Sequence, residues 1–198
     1  MKKIFIDCGS HFYQGFKQIA QQDNINSSWD CYSFEANPIT FKKSENSRAL
    51  LENSFNVKCF CKAVSTHNQK IKINAAADDD TFTNQGSNIL DNPPSKDIVW
   101  GGIFIYDQQE ILTECFSLSD FLKTNVREDD YCLIKMDIEG SEFQVLDDII
   151  DKETYKYISK IYVEFHERFF PDINKYTDKK NNYKKFFTQH GINFIEWY

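Results

Sequence analysis

Three short segments carry side chains suited to holding a polar cofactor and moving a proton: Asp7-Cys8-Gly9, Glu35-Ala36-Asn37 and Asp137-Ile138-Glu139-Gly140. Each follows an apolar, β-rich run. Gly9 and Gly15 allow a ligand close to the backbone of the turn that contains Ser10. Glu35 ends the next apolar run, 28 residues beyond Asp7, where an acid can accept hydrogen bonds from a ribose diol. This combination points to a nucleotide-type ligand, although the tighter G-x-G-x-x-G that NAD usually requires is missing. Asp137, Glu139 and His166 are the candidate bases for a hydroxyl proton, with Asp137 first because it sits where its strand ends. A histidine with an unperturbed pKa of about 6.5 serves equally near neutral pH. Plainer roles exist for each: Asp137 as cap of the following helix, Glu139 as a surface anion near its N-terminus, His166 as a strand-end histidine. Asp137, Glu164 and His166 could gather a divalent metal, but their spacing is not that of a tight ligand set, and no metal is expected.

Converging these groups requires alternating strands and helices. KIFIDCG reads as a strand and Phe12 to Gln22 as a helix, on the spacing of Phe12, Phe16, Ile19 and Ala20. CYSFEANP ends a second strand, and Pro38 opens a helix running to about Glu52. Residues 57–65 read as a third strand, and the alternation in QKIKINAA as a half-exposed antiparallel one. ECFSLSDFLKTN holds a short helix capped by Ser117 or Ser119. YCLIKMDIEG is a buried strand, SEFQVLDDII an amphipathic helix and YISKIYVEFHE another strand. A helix from Tyr176 to His190, a Gly191 stop and INFIEWY close the chain. The expected fold is α/β: one domain over 1–198, a mainly parallel twisted sheet with helices on both faces, and an inserted hairpin and loop region around 66–106. Ligands in such sheets lie beyond the strand C-termini, where the acidic sites converge.

Composition narrows the partners. The 198 residues, 41% hydrophobic with 18 Phe and 10 Tyr, suffice for one buried core, and 27% charged residues give an ordinary polar surface. A net charge of −7 and a pI near 5.1 disfavour a nucleic-acid partner. KKNNYKK reads as a solvated helix face. No apolar run is long enough to insert into a membrane, and MKKIFIDCGSH does not have the form of a signal peptide, so a cytoplasmic protein with reduced thiols is expected. Cys59 and Cys61 fit alternation on a strand better than a zinc site, which needs four ligands.

Seven blocks occur in an order that resembles the FkbM-type methyltransferases: FIDCGSHFYQGF, SFEANP, CKAVS, GSN, FSLSDFL, LIKMDIEGSEFQVL and YVEFHE. LIKMDIEGSEFQVL is the most characteristic. The resemblance implies a Rossmann-like class I methyltransferase fold, S-adenosyl-L-methionine as donor, and usually O-methylation of a hydroxyl on a sugar, glycan or other small metabolite. By the same resemblance, Asp7, Gly9 and Ser10 shape the methionine end of the cofactor pocket, Glu35 and Asn37 stand at the ribose, and Lys62, Ala63 and Val64 border the adenine. Asp137, Glu139 and Gly140 stand beside the transferred methyl, faced by Glu164 and His166. Ser87, Asn88, Trp100 and Glu164 are the acceptor candidates. Ser10-His11 and Tyr13 depart from the family pattern, which commonly has Ala-Asn after the first glycine and another glycine two residues later. The helical N-terminal extension that many methyltransferases place over the acceptor is also missing from this sequence.

Residues 78–102 read as a long loop and a lid over the acceptor, with Trp100 beside Gly101-Gly102. Other aromatic residues, including Phe169, Phe170, Tyr106 and Trp197, read as packing. Two other classes of function remain open: a non-catalytic cofactor-binding sensor or assembly protein, and a NAD-dependent or nucleotide-sugar enzyme on a similar sheet. The oligomeric state is not legible.

Overall fold

The computed structural model describes residues 1–76, 87 and 108–197. Its strands are β1 (Lys3–Cys8), β2 (Asp30–Glu35), β3 (Val57–Cys61), β4 (Ala63–Ser65), β5 (Gln69–Ala76), β6 (Gln108–Ser117), β7 (Tyr131–Met136), β8 (Lys160–Val163) and β9 (Asn193–Glu196). Its α-helices are α1 (Gln14–Gln22), α2 (Pro38–Lys43), α3 (Glu45–Ser54), α4 (Leu118–Asn125), α5 (Glu142–Asp151) and α6 (Ile173–Gln189). Six strands form one sheet in the order β3-β2-β1-β7-β8-β9, with every neighbouring pair parallel. Numbered within that sheet, the order is 3-2-1-4-5-6, and it reverses direction between β1 and β7.

The apolar runs follow from burial on both faces of the sheet. Along β1, Ile4, Ile6 and Cys8 enter one hydrophobic cluster and Phe5 the other; β7 repeats this with Cys132, Ile134 and Met136 against Leu133. On the first face lie Leu122 of α4, Phe143 and Leu146 of α5, and Phe187 of α6. On the second lie Phe16 and Ile19 of α1 and Leu51 of α3. Period-two alternation carries Asp7 and Lys135 onto this second face at the strand ends, where Asp7 pairs in register with Ser33 on one side and Lys135 on the other. A separate three-stranded sheet, β4-β6-β5, joins β5 and β6 antiparallel as expected for the inserted region.

Several boundaries differ from expectation, and α6 begins at Ile173, behind the Asp172 cap, rather than at Tyr176. The helix expected from Phe12 begins at Gln14, because His11 (φ 47°) and Tyr13 (φ 66°) are left-handed and cannot continue a helix. The helix expected from Pro38 to Glu52 breaks at buried Ser44, whose hydroxyl donates to the Phe41 carbonyl at 3.1 Å. Residues 57–65 are two strands: β2 ends at Glu35 opposite Cys61, and the chain then leaves the main sheet to pair β4 with β6. All six cysteines are free, with Cys59 and Cys61 in β3. Among the described residues, no helix is long and apolar enough to cross a membrane.

Candidate active site

The carboxyl ends of β1, β2, β7 and β8 bring most of the expected residues to one edge. Asp7 is fully buried, with Oδ2 accepting from the Ser33 hydroxyl at 2.8 Å and Oδ1 3.4 Å from Lys135 Nζ. Lys135 Nζ also donates to the Gly9 carbonyl at 2.5 Å and to Asp137 Oδ2 at 3.2 Å. Desolvation opposes a charge on Lys135, but Asp137 and Asp7 outweigh it and hold the ammonium above its ordinary range. Burial pushes the Asp7 carboxyl up, against Lys135 and Ser33.

At the glycine turn, the space above Gly9 (φ 84°) is filled by protein: an added Cβ would lie 1.8 Å from the Asp137 carbonyl oxygen. A Cβ on Gly15 would lie 2.8 Å from the Trp197 ring and 3.0 Å from Lys135 Cε. Both glycines therefore permit close packing of the protein upon itself. The turn keeps buried polar atoms without protein partners, among them Ser10 Oγ, His11 Nε2 and the Tyr13 hydroxyl, and Trp197 Nε1 is another such atom. Burial lowers the His11 pKa, which leaves its imidazole neutral near pH 7.

Glu35, 7% exposed, is shaped by the same turn. Its two oxygens accept from the His11 and Asn37 amides, each at 2.8 Å. Burial raises its pKa to about 7, opposed by the Asn37 and His11 hydrogen bonds. Asn37 caps α2 by accepting from the Ile39 amide, and its Nδ2 donates to Ser87 Oγ at 3.1 Å, so Ser87 does reach the site. Asn88, Trp100 and the rest of the expected lid lie outside the described residues. Lys62 pairs with Glu114 at 3.1 Å on a partly exposed surface, Ala63 is buried at the start of β4, and Val64 packs in the core cluster that contains Phe34 and Phe116.

The third group centres on His166, which is 1% exposed. Its Nε2 is 3.1 Å from Glu139 Oε2 and 3.9 Å from both Asp137 Oδ1 and Glu164 Oε1. Its Nδ1 is 3.0 Å from Glu142 Oε1. Burial acts to lower the His166 pKa, but Glu142 and Glu139 outweigh it and hold the ring protonated well above the ordinary value. Desolvation, reinforced by the Asp137 charge, raises Glu164 to about 7, with His166 opposing. Asp137 does not cap α5. Ser141 occupies the cap position without a side-chain bond, and Glu142 accepts from the Ile138 and Gly140 amides at 2.8 and 2.9 Å. Sequence reasoning missed Lys135 and Glu142. A lone lysine inside the apolar run YCLIKM was the available signal for the first, and a carboxylate two residues after Gly140 for the second.

A glycine turn with orphaned polar atoms and an acid cluster at the same sheet edge suit a polar ligand that carries positive charge, with proton transfer beside it. No curated protein matches the sequence. The crystal structure of Methyltransferase FkbM from Methylobacillus flagellatus KT aligns over 76% of this chain, at 14% identity and a TM-score of 0.44, and this chain spans only 30% of that one. A family model described as the methyltransferase FkbM domain matches residues 7–185, nearly the whole main sheet and its flanking helices. The chain belongs to the FkbM methyltransferase domain family.

Proposed function

We propose that the protein is a cytosolic S-adenosyl-L-methionine-dependent O-methyltransferase acting on a hydroxyl of a sugar, glycan or other small metabolite. One observation carries this reading: the orphaned polar atoms of the Gly9 turn and the carboxylates around His166 share the edge formed by the ends of β1, β2, β7 and β8. The residues fit such a donor. Ser10 Oγ and His11 Nε2 are buried without protein partners and call for a polar ligand. Each Glu35 oxygen keeps a lone pair for a ribose hydroxyl after accepting one amide.

When bound, the donor supplies a methyl group on a cationic sulfonium, and the acid-rich edge complements that charge. Methyl transfer is an in-line displacement, so the protein's main task is to align the acceptor oxygen and exclude water. Lys135 holds Asp7, the Gly9 carbonyl and Asp137 in one arrangement. Among the candidate bases the environments favour Glu164 over the three expected ones. Asp137 is engaged by Lys135 at 3.2 Å and Glu139 by His166 at 3.1 Å, whereas Glu164 Oε1 stands 3.9 Å from His166 Nε2, beyond hydrogen-bonding distance, and is the carboxylate left to accept a proton. The net charge of −7 favours a small or glycan acceptor over nucleic acid.

Calorimetric titration with S-adenosylhomocysteine and, separately, with NAD⁺ tests the cofactor. Saturable binding of the first alone is expected; binding of NAD⁺ alone, or of neither, overturns the reading. With the donor established, label transfer from radioactive S-adenosylmethionine to a panel of polyols and glycans tests the chemistry. Glu164→Gln is expected to lose label transfer with unchanged S-adenosylhomocysteine affinity, and equal loss of both would make Glu164 a cofactor residue.

A further inference from the structure

The spacing of Asp137, Glu164 and His166 in the sequence is not that of a tight ligand set, but the fold groups Asp137 and His166 with Glu139 instead. The β7–α5 loop and the segment after β8 bring one ligand atom from each residue within 4.8 Å of the other two. A divalent cation with bonds of about 2.1 Å places ligands about 3 Å apart when adjacent and about 4.2 Å apart when opposite. Here His166 Nε2 lies 3.1 Å from Glu139 Oε2 and 3.9 Å from Asp137 Oδ1.

Two features outside this triad point the same way. His166 is buried, and Glu142 occupies its Nδ1, which turns Nε2 into the cluster; metal-binding histidines are characteristically held by a carboxylate on the other nitrogen. His11 Nε2 is a buried nitrogen with no protein partner, on a partly buried ring that bonds Gln14 and feels the charges of Asp137, Lys135 and Glu139. A water on a cation held by those carboxylates would supply the partner it lacks. Charge agrees as well: Asp137, Glu139, Glu142 and Glu164 face one imidazole, and Lys135 reaches only the Oδ2 side of Asp137.

We infer that Asp137, Glu139 and His166 form a binding site for one divalent cation, which would displace the proton that His166 Nε2 shares with Glu139 in the metal-free protein, with Glu142 as the residue that orients His166. One imidazole with carboxylate oxygens lies where the preferences of nitrogen-seeking and oxygen-seeking metals overlap, which favours Mn²⁺. The open positions would take the acceptor hydroxyl beside Glu164. That role rests on the methyltransferase reading above, whereas binding of the cation does not.

The test is titration of chelator-treated, dialysed protein with Mn²⁺, followed by the electron paramagnetic resonance signal of the free ion. One saturable equivalent per chain is expected. Glu139→Gln, at a partly exposed side chain, should weaken it about tenfold or more with an unchanged unfolding temperature. Asp137→Asn should weaken it likewise. Absence of saturable binding, or unchanged affinity in Glu139→Gln, overturns the site. Titration with S-adenosylhomocysteine alongside separates the two readings. Mn²⁺ binding without it leaves the metal site and removes the methyl-donor reading, and the reverse removes the metal site alone.

Discussion

His166 Nδ1 lies 3.0 Å from Glu142 Oε1, and this contact fixes the segment after β8 to the first turn of α5. The same fully buried carboxylate accepts the amides of Ile138 and Gly140. One side chain thus sets the loop that carries Asp137 and Glu139 and the ring that faces them.

Glu142→Ala would leave two amides without acceptors and a protonated imidazole without its buried counter-charge. Each unmet buried group costs about 1–3 kcal/mol, so a loss of about 3 kcal/mol or more is expected. Glu142→Gln keeps one acceptor oxygen and should lose less. Urea unfolding measures both, and an alanine variant within about 0.5 kcal/mol of the parent would contradict this role.

Lys135 poses a similar problem at the other end of the site, because Asp7 beside it is fully buried. Removing one partner of a buried pair strands the other charge, at about 3–5 kcal/mol. Lys135→Met is expected to lose about that much, and adding Asp7→Asn should recover part of the loss. A double variant whose loss equals the sum of the two single losses would show that the two charges are not coupled.

The legible residues were those that end apolar runs, since a strand followed by an acid or glycine marks the ligand edge of a parallel sheet. Asp7, Glu35 and Asp137 were found this way. Lys135 was not, because its partners come from β1 and the adjoining loops and meet only through the register that sets Lys135 beside Asp7. Glu142 was missed because its partners are mostly backbone amides, which no residue type announces. His11 and Tyr13 stood out as departures from the family pattern, and the backbone gives them meaning. Both occupy left-handed φ, which asparagine and glycine adopt more easily. Tyr13 offsets that cost by complete burial with Phe16 and Ile19 in the core.

The two glycines of the turn should respond differently to alanine. At Gly9 the new methyl meets a backbone carbonyl at 1.8 Å, in a left-handed conformation that itself costs about 1–2 kcal/mol. Backbone cannot step aside cheaply, so Gly9→Ala is expected to lose about 3 kcal/mol or more, or to fail to fold. At Gly15 the obstacles are the Trp197 ring and the Lys135 stem, which are side chains and can shift. Gly15→Ala should fold with a loss of about 1–3 kcal/mol. Thermal unfolding of the pair checks the order, and Gly15→Ala as the less stable variant would reverse it.

Glu35 gives stability a pH dependence whose sign follows from burial. Its folded pKa, raised to about 7 chiefly by desolvation, exceeds the ordinary carboxylate value of about 4.3. The folded protein therefore binds this proton more tightly than the unfolded chain. The contribution is fully present below about pH 4.3 and is lost as pH rises through about 7, at about 1.4 kcal/mol per unit of difference, or about 4 kcal/mol in all. Glu164, also raised to about 7, adds the same slope to the parent and to a Glu35 variant, and so cancels in their difference. Glu35→Gln puts a donor NH2 group in place of one acceptor oxygen, so one of the two amides loses its partner and stability should lie lower at acid pH. The slope between pH 5 and 7 is the readout: urea midpoints of Glu35→Gln should fall less steeply than those of the parent, and parallel curves would show that Glu35 titrates normally in the fold.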